Sequence, residues 1–322
     1  MTPRASVVIC TYTDVRWHLL VGAVASLRQQ TVPPHEVVVV ADHNPALLER
    51  VARAIPEATV VPNQGAPGLS GSRNSGTVAS RTEVVAFLDD DAAAAPDWLE
   101  RLLERYEPHV AGVGGRIDPV WGGERPTWFP PEFEWVVGCS YLGLPTTTAR
   151  VRNVLGCNMS FRRPLLLEAG GFRDGLGRQG RRALGCEETE LCIRLQQRWP
   201  ECVVLYEPGA QVRHHVPAQR GRVRYFARRC YAEGLSKAQV TRAVGGSDGL
   251  ASERRYVRST LPRGIRRELA GCASSRTLGG LRQAAAITSG LILTAVGYGA
   301  GLLRHASRRH PLPLDQLQGS TH

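Results

Sequence analysis

The first ninety residues alternate between two hydrophobic patterns. Short β-branched runs at 5–10, 36–41, 59–61 and 84–88 predict buried strands. Between them, Leu19, Leu20, Val24 and Leu27 recur at helical spacing, predicting a helix over about 15–30 that ends at Pro33-Pro34. Further helices are predicted over about 45–54, from the glycine-rich loop at 64–74 to about Ala79, and near Pro96-Asp97. Strand and helix in alternation predict a doubly wound α/β fold with a parallel sheet, which binds ligands at the carboxyl edge of its strands.

Three aspartates, Asp89, Asp90 and Asp91, stand at that edge after the fourth strand. Adjacent carboxylates repel unless a cation or solvent screens them. A hard divalent ion, magnesium or manganese, is the matching partner because it takes oxygen ligands and shares them with phosphates. An acidic turn capping the next helix is the plainer alternative. The glycine loop matches neither the Walker A nor the G-x-G-x-x-G pattern, which disfavours P-loop and dinucleotide enzymes. Gly68 and Gly71 would let backbone approach a phosphate at a helix start, with Arg73 in reach of the same anion.

Composition adds a partner class. The 322 residues carry a net charge of +11, and Lys237 is the only lysine. Basic residues greatly outnumber acidic ones from 213 to 267, which suits a polyanion: anionic lipid headgroups or a diphosphate. No recognition-helix or RNA motif is present, so nucleic acid is not expected. The eight cysteines include no C-x-x-C pair. Cys10, Cys157, Cys192 and Cys202 lie in apolar segments as small hydrophobes, and no zinc-ligand spacing surrounds Cys186. The apolar run at 6–10 is too short for a signal peptide. Free thiols then predict a cytoplasmic location.

The runs SVVICTY, VVVVADHNP, GLSGSRNSG and VVAFLDDDA, in this order and spacing, resemble the N-terminal half of a family 2 glycosyltransferase with the glycosyltransferase A fold. The resemblance covers roughly 5–240. It implies a transferase domain over 1–240, with a nucleotide-sugar half at 1–118 and an acceptor half at 119–240. It further implies that Thr11, Tyr12 and Asp42 hold base and ribose, and that Arg73 contacts the nucleotide side. Asp89 and Asp91 match the ends of a D-x-D motif, with Asp91 as metal ligand and Asp89 on ribose or the metal; Asp90 is grouped with the donor side. The donor is a nucleoside diphosphate sugar, a UDP-sugar before the others.

Residues 152–162 resemble the family's G-x-N-x-x-F-R-R strand, placing Gly156 and Asn158 at the sugar pocket; a simple strand turn is the alternative. The loop over 174–185 has the glycines of a lid and the arginines of a diphosphate contact. Glu187-Glu188-Thr189-Glu190-Leu191 matches E-D-x-E/D-L, whose second residue is the base. That place falls to Glu188, glutamate instead of the usual aspartate, which keeps Glu187 as a second candidate. Acidic residues also favour a helix N-terminus for dipole reasons alone. The residues 196–199 lack the spacing of the Q-x-x-R-W signature of processive synthases, so single addition is expected. The histidine after the last core strand is His214 or His215, with His215 assigned to the metal.

A basic helix is predicted over 222–233, capped by Gly234, with Arg224, Arg228 and Arg229 facing phosphate or membrane. The remaining 241–322 read as a basic helical tail. Within it 283–303 carries no charge and has the length of a membrane span, which predicts contact with the inner face of the cell membrane. The combined expectation is an inverting, metal-dependent transferase acting on a hydroxyl of a lipid-linked or cell-envelope precursor. The alternatives are a nucleotidyltransferase of the same fold and a non-catalytic membrane-associated binding protein.

Overall fold

The computed structural model describes residues 2–177, 185–246, 250–275 and 279–306. A nine-stranded mixed sheet runs through it. Strands β1 (Ala5–Thr11), β2 (Glu36–Ala41), β3 (Thr59–Pro62) and β4 (Val84–Asp89) stand in the order β3-β2-β1-β4 and are mutually parallel. The parallel pairing is what the alternation of strand and helix predicts; the order comes from the structure. The parallel pattern stops there. β8 (Asn158–Arg162) runs antiparallel to both β4 and β6 (Val110–Trp121). β9 (Val203–Val216) is parallel to β6, and two short strands, β5 (Ala92–Ala94) and β7 (Ala149–Val151), add to β9 in the opposite sense. β9 is one long strand with a register shift opposite Gly115 and Arg116.

Side-chain alternation splits the core into two layers. Ala5, Val7 and Ile9 face one side, with Leu20, Val24 and Leu27 of α1 (Trp17–Arg28), Leu47 and Val51 of α2 (Pro45–Ala54), and Trp98 of α4 (Trp98–Leu103). Val8 faces the other, with Leu166 of α5 (Arg163–Glu168) and Leu191 and Leu195 of α6 (Glu187–Arg198). α3 (Leu69–Ala79) lies close on this second face: a Cβ at Gly76 would come within 2.4 Å of Val8 Cγ1.

The C-terminal region departs most from expectation. α7 runs over Val223–Val244, straight through Gly234. Gly234 is no cap; it is a contact point, since a Cβ there would lie 2.1 Å from the Thr294 carbonyl oxygen. That oxygen belongs to α10 (Gly279–Ala306), which follows α8 (Ala251–Arg255), a π-turn over Tyr256–Thr260, and α9 (Leu261–Ser275). Gly297 meets the Tyr231 carbonyl and Gly301 meets Ala238, so α7 and α10 run side by side in the same direction with backbones in contact. Small residues permit this approach, and a glycine inside a helix costs only about 1 kcal/mol. The stretch Gly279–Leu303 is long and apolar enough to cross a membrane, but one face of it is committed to the protein.

Candidate functional site

Three strand ends assemble the acidic side of a cleft. Thr11 ends β1, Asp42 follows β2, and Asp89 ends β4. Asp42 is held from several directions. Asn63 Nδ2 donates to its Oδ1 at 2.6 Å, the Gly68 amide donates to its Oδ2 at 2.9 Å, and His43 Nδ1 lies 2.9 Å away. The glycine loop therefore serves this carboxylate. Gly68 takes φ of 121°, which favours glycine, and a Cβ at Gly71 would sit 2.1 Å from the Ala66 carbonyl oxygen. Close packing of the loop on itself accounts for glycine at both places.

The three aspartates have three different environments. Asp90 is buried and accepts from Thr11 Oγ1 at 2.8 Å; burial pushes its carboxyl up to about 7 against the pull of Arg16. Asp91 is also buried, but held charged. Burial alone would raise it, and the hydrogen bond from His214, with Arg16 and Arg220, overrides that and keeps it well below the usual carboxylate range. Asp89 is half-buried and faces Arg73 Nη2 at 3.5 Å. Arg16 Nη1 spans two of them, at 2.8 Å from Asp90 and 2.6 Å from Asp91, while its guanidinium lies over the exposed ring of Tyr12. Sequence reading missed Arg16. The available signal was an arginine at the N-cap of α1, where the helix dipole disfavours a cation.

β9 supplies the histidine. Its antiparallel pairing with β5 sets His214 opposite Ala92. His214 Nε2 then lies 3.2 Å from Asp91 Oδ1. His215, assigned to the metal from sequence, is on the other side of the strand, because successive strand residues face opposite ways; only its backbone amide meets Asp91. Ligand atoms of Asp89, Cys157 and His214 lie within 4.8 Å of one another. Carboxylate and imidazole donors at this strand end fit a divalent cation. The Cys157 thiol, pushed well up by burial, stays protonated and is a poor partner for a hard ion.

Arg73 joins the two sides. It is 2% exposed, and Nη1 donates to Glu187 Oε1 at 2.7 Å while Nη2 donates to the Gly156 carbonyl at 2.9 Å. Burial disfavours its charge, but Glu187 and Asp89 more than restore it. The acidic helix start of α6 is thereby sorted. Glu187 is paired with Arg73. Glu190 is locked by Arg194 and Arg173. Glu188 forms no ion pair among the described residues; its one side-chain hydrogen bond is a long one from Thr189 Oγ1 at 3.4 Å. Burial, then the charge of Glu187, raises its carboxyl well above the ordinary range.

Asn158 does not reach the cleft. Its Oδ1 accepts from Trp98 Nε1 at 2.8 Å, and its Nδ2 donates to the carbonyls of Arg116 and Ala210 at 2.9 Å each. The amide is fully buried, with both N–H donors and one oxygen acceptor site taken by the protein. Gly156 is at the cleft, through its carbonyl on Arg73. Most of the loop expected to act as a lid, 178–184, lies outside the described residues. Thr11, Tyr12, Asp42, Arg73, the three aspartates, Glu187, Glu188 and His214 all line one cavity of about 1180 Å³. Asp91 and Glu188 thus face a shared space.

Residues 6–169 match the family described as glycosyl transferase family 2. Over 239 residues the chain is 36% identical to the glucosyl-dolichyl phosphate glucuronosyltransferase of Haloferax volcanii, covering 73% of this chain and 76% of that protein. It is 27% identical over 245 residues to the succinoglycan biosynthesis protein ExoM of Rhizobium meliloti, covering 72% and 73% respectively. Among solved structures, the mannosyltransferase PcManGT from Pyrobaculum calidifontis, in complex with GDP-Man and Mn2+, superposes with a TM-score of 0.58 over 92% of this chain and 87% of that one, at 19% identity. The shared architecture is the expected glycosyltransferase A fold.

Proposed function

Since the chain belongs to glycosyl transferase family 2 and is a transferase that uses nucleotide sugars, we propose that it works by a single inverting displacement on an acceptor hydroxyl, with a divalent cation at the strand end. The observation that carries this reading is Glu188, the one carboxylate of its motif without an ion-pair partner among the described residues, sharing a cavity with Asp91. A sugar hydroxyl attacks only as its proton leaves, and a positioned base supplies about 10²–10⁴-fold in rate. Glu188 takes that proton. Glu187, tied to Arg73, holds the arginine in place instead. Among the described residues the other two carboxylates of the motif, Glu187 and Glu190, are held in ion pairs, which supports a single displacement with inversion.

Asp89, Asp91 and His214 would hold a divalent cation, which would supply charge neutralisation for the departing diphosphate. To use its Oδ2 there, Asp91 gives up the hydrogen bond from Arg16. Tyr12 offers its exposed ring to the base, and Asp42, pre-set by Asn63 and Gly68, meets the ribose. The donor is a UDP-sugar. The acceptor is a lipid-linked hydroxyl, in keeping with the Haloferax relative, and the enzyme works at the inner face of the membrane.

The test is release of the nucleoside diphosphate from a panel of UDP- and GDP-sugars with manganese. Glu188→Gln should lower kcat by about 10²–10⁴ with donor affinity kept, and Asp91→Ala should lower turnover by about 10²–10³ with loss of the manganese requirement. Wild-type turnover in Glu188→Gln would remove Glu188 as the base and pass the role to Glu187.

A further inference from the structure

The cavity is longer than its donor end. Past Glu188 it continues between α7, α8 and α10, where Tyr256, Leu291, Ala295 and Tyr298 line it. Lys237, Arg254 and Arg258 border the same end. Glu253 and Glu233 lie 2.7 and 3.5 Å from Lys237 and offset part of this charge. The segment 254–267 that follows contains six arginines and no acidic residue; Arg254 and Arg258 of these line the cavity, and Arg267 pairs with Glu132 and Glu268. The volume of about 1180 Å³ exceeds the range of about 300–1,000 Å³ usual for a site holding one small ligand.

α10 divides its surface in three. Gly290, Gly297 and Gly301 face the protein. Leu291, Thr294, Ala295 and Tyr298 face the cavity. Next to these, Ile292, Val296 and Leu303 are 56%, 55% and 70% exposed, forming an apolar stripe along the helix. The cavity wall and the stripe are adjacent, so an apolar chain leaving the cavity passes directly onto the stripe. An exposed apolar face beside a run of arginines suits the surface layer of an anionic bilayer. Its opposite face is packed on α7, an arrangement that suits a helix lying along such a layer.

We propose that this end of the cavity is a subsite for a single-chain lipid phosphate. The phosphate is held by Arg258, Arg254 and Lys237, because guanidinium and ammonium groups make charge-assisted hydrogen bonds to it. The first apolar segment lies among Tyr256, Leu291, Ala295 and Tyr298. The rest leaves across Ile292 and Val296 into the membrane. A saccharide on that phosphate points its hydroxyl at Glu188; this last step rests on the transferase reading, whereas lipid-phosphate binding does not. A water-soluble glycan has no use for the aliphatic stripe of Ile292, Val296 and Leu303.

The experiment uses the full chain in detergent micelles with fluorescent farnesyl phosphate and fluorescent farnesol as probes, and UDP binding as the folding control. Ala295→Trp fills the apolar segment at an exposed position and should weaken farnesyl phosphate at least about tenfold while UDP still binds. Arg258→Glu should weaken farnesyl phosphate about tenfold and leave farnesol unchanged. Excess phosphatidylglycerol should not displace the probe. Unchanged probe binding in both variants, or ready displacement by phosphatidylglycerol, overturns the proposal; the second outcome identifies a bulk-lipid contact. If farnesyl phosphate behaves as expected and no diphosphate is released from any donor, the transferase reading fails and this one stands.

Discussion

The two walls of the cleft are built in opposite ways. The proposed donor wall comes mostly from one stretch, with Thr11, Tyr12, Asp42 and the three aspartates at or just past strand ends, joined by Arg73 on α3 and His214 on β9. The acceptor wall gathers Glu188 from α6, Lys237 from α7, Tyr256 after α8 and Leu291 from α10. Their polar groups differ as well. Asp42, Asp90 and Asp91 are all bonded within the protein. Glu188 has no ion-pair partner among the described residues, and the wall beyond it includes Tyr256, Leu291, Ala295 and Tyr298. On the proposed reading the donor side is preorganised, and a cation entering it would exchange some of these bonds. The acceptor side keeps one carboxylate in reserve and otherwise offers shape.

The largest effect should come from cutting the link between the walls. Arg73→Met leaves the buried Glu187 without its partner, and breaking a buried ion pair by removing one member costs about 3–5 kcal/mol. Urea unfolding should show this loss together with weaker donor binding; unchanged stability would mean that the walls are independent. Asn158→Ala comes next. It leaves the Trp98 indole and two carbonyls without their bonds and should cost about 1–3 kcal/mol, with kcat close to wild type in the surviving folded protein. A kcat loss exceeding the loss of folded protein would return Asn158 to the site.

The smallest effect is on pH dependence. Glu188 accepts a proton only when charged, and burial followed by the charge of Glu187 opposes that form. Activity should therefore rise with pH through a limb above the ordinary carboxylate value. Glu187→Gln removes the like charge and frees Arg73 to favour the charged base, so the limb should move to lower pH. A kcat/KM profile for the two proteins decides it; a limb that stays in place assigns the titration to another group.

The donor wall was legible in the sequence because it is local. Each β-branched run ends in its own polar residue, and strand order follows chain order closely enough for Thr11, Asp42 and Asp89 to converge. Where chemistry depended on direction within an element, pattern was insufficient. His214 and His215 are equally good histidines in sequence, and only the pairing of β5 with β9 decides which one meets Asp91. Asn158 fits the motif, but its amide is used up by Trp98 from a distant helix. Gly234 has the composition of a helix cap, and its reason for being glycine is a carbonyl sixty residues on, at Thr294. These facts are long-range contacts, which neither periodicity nor spacing encodes.

The contact of Gly234, Gly297 and Gly301 between α7 and α10 has a practical consequence. The greasy C-terminal helix is the obvious piece to trim when a more tractable protein is wanted. Here that piece is also masonry. A shortened chain would keep the strand-end part of its chamber and lose the wall formed by Leu291, Ala295 and Tyr298, the side proposed here for the other reactant, so a soluble fragment that still binds donor would be a misleading stand-in for the whole.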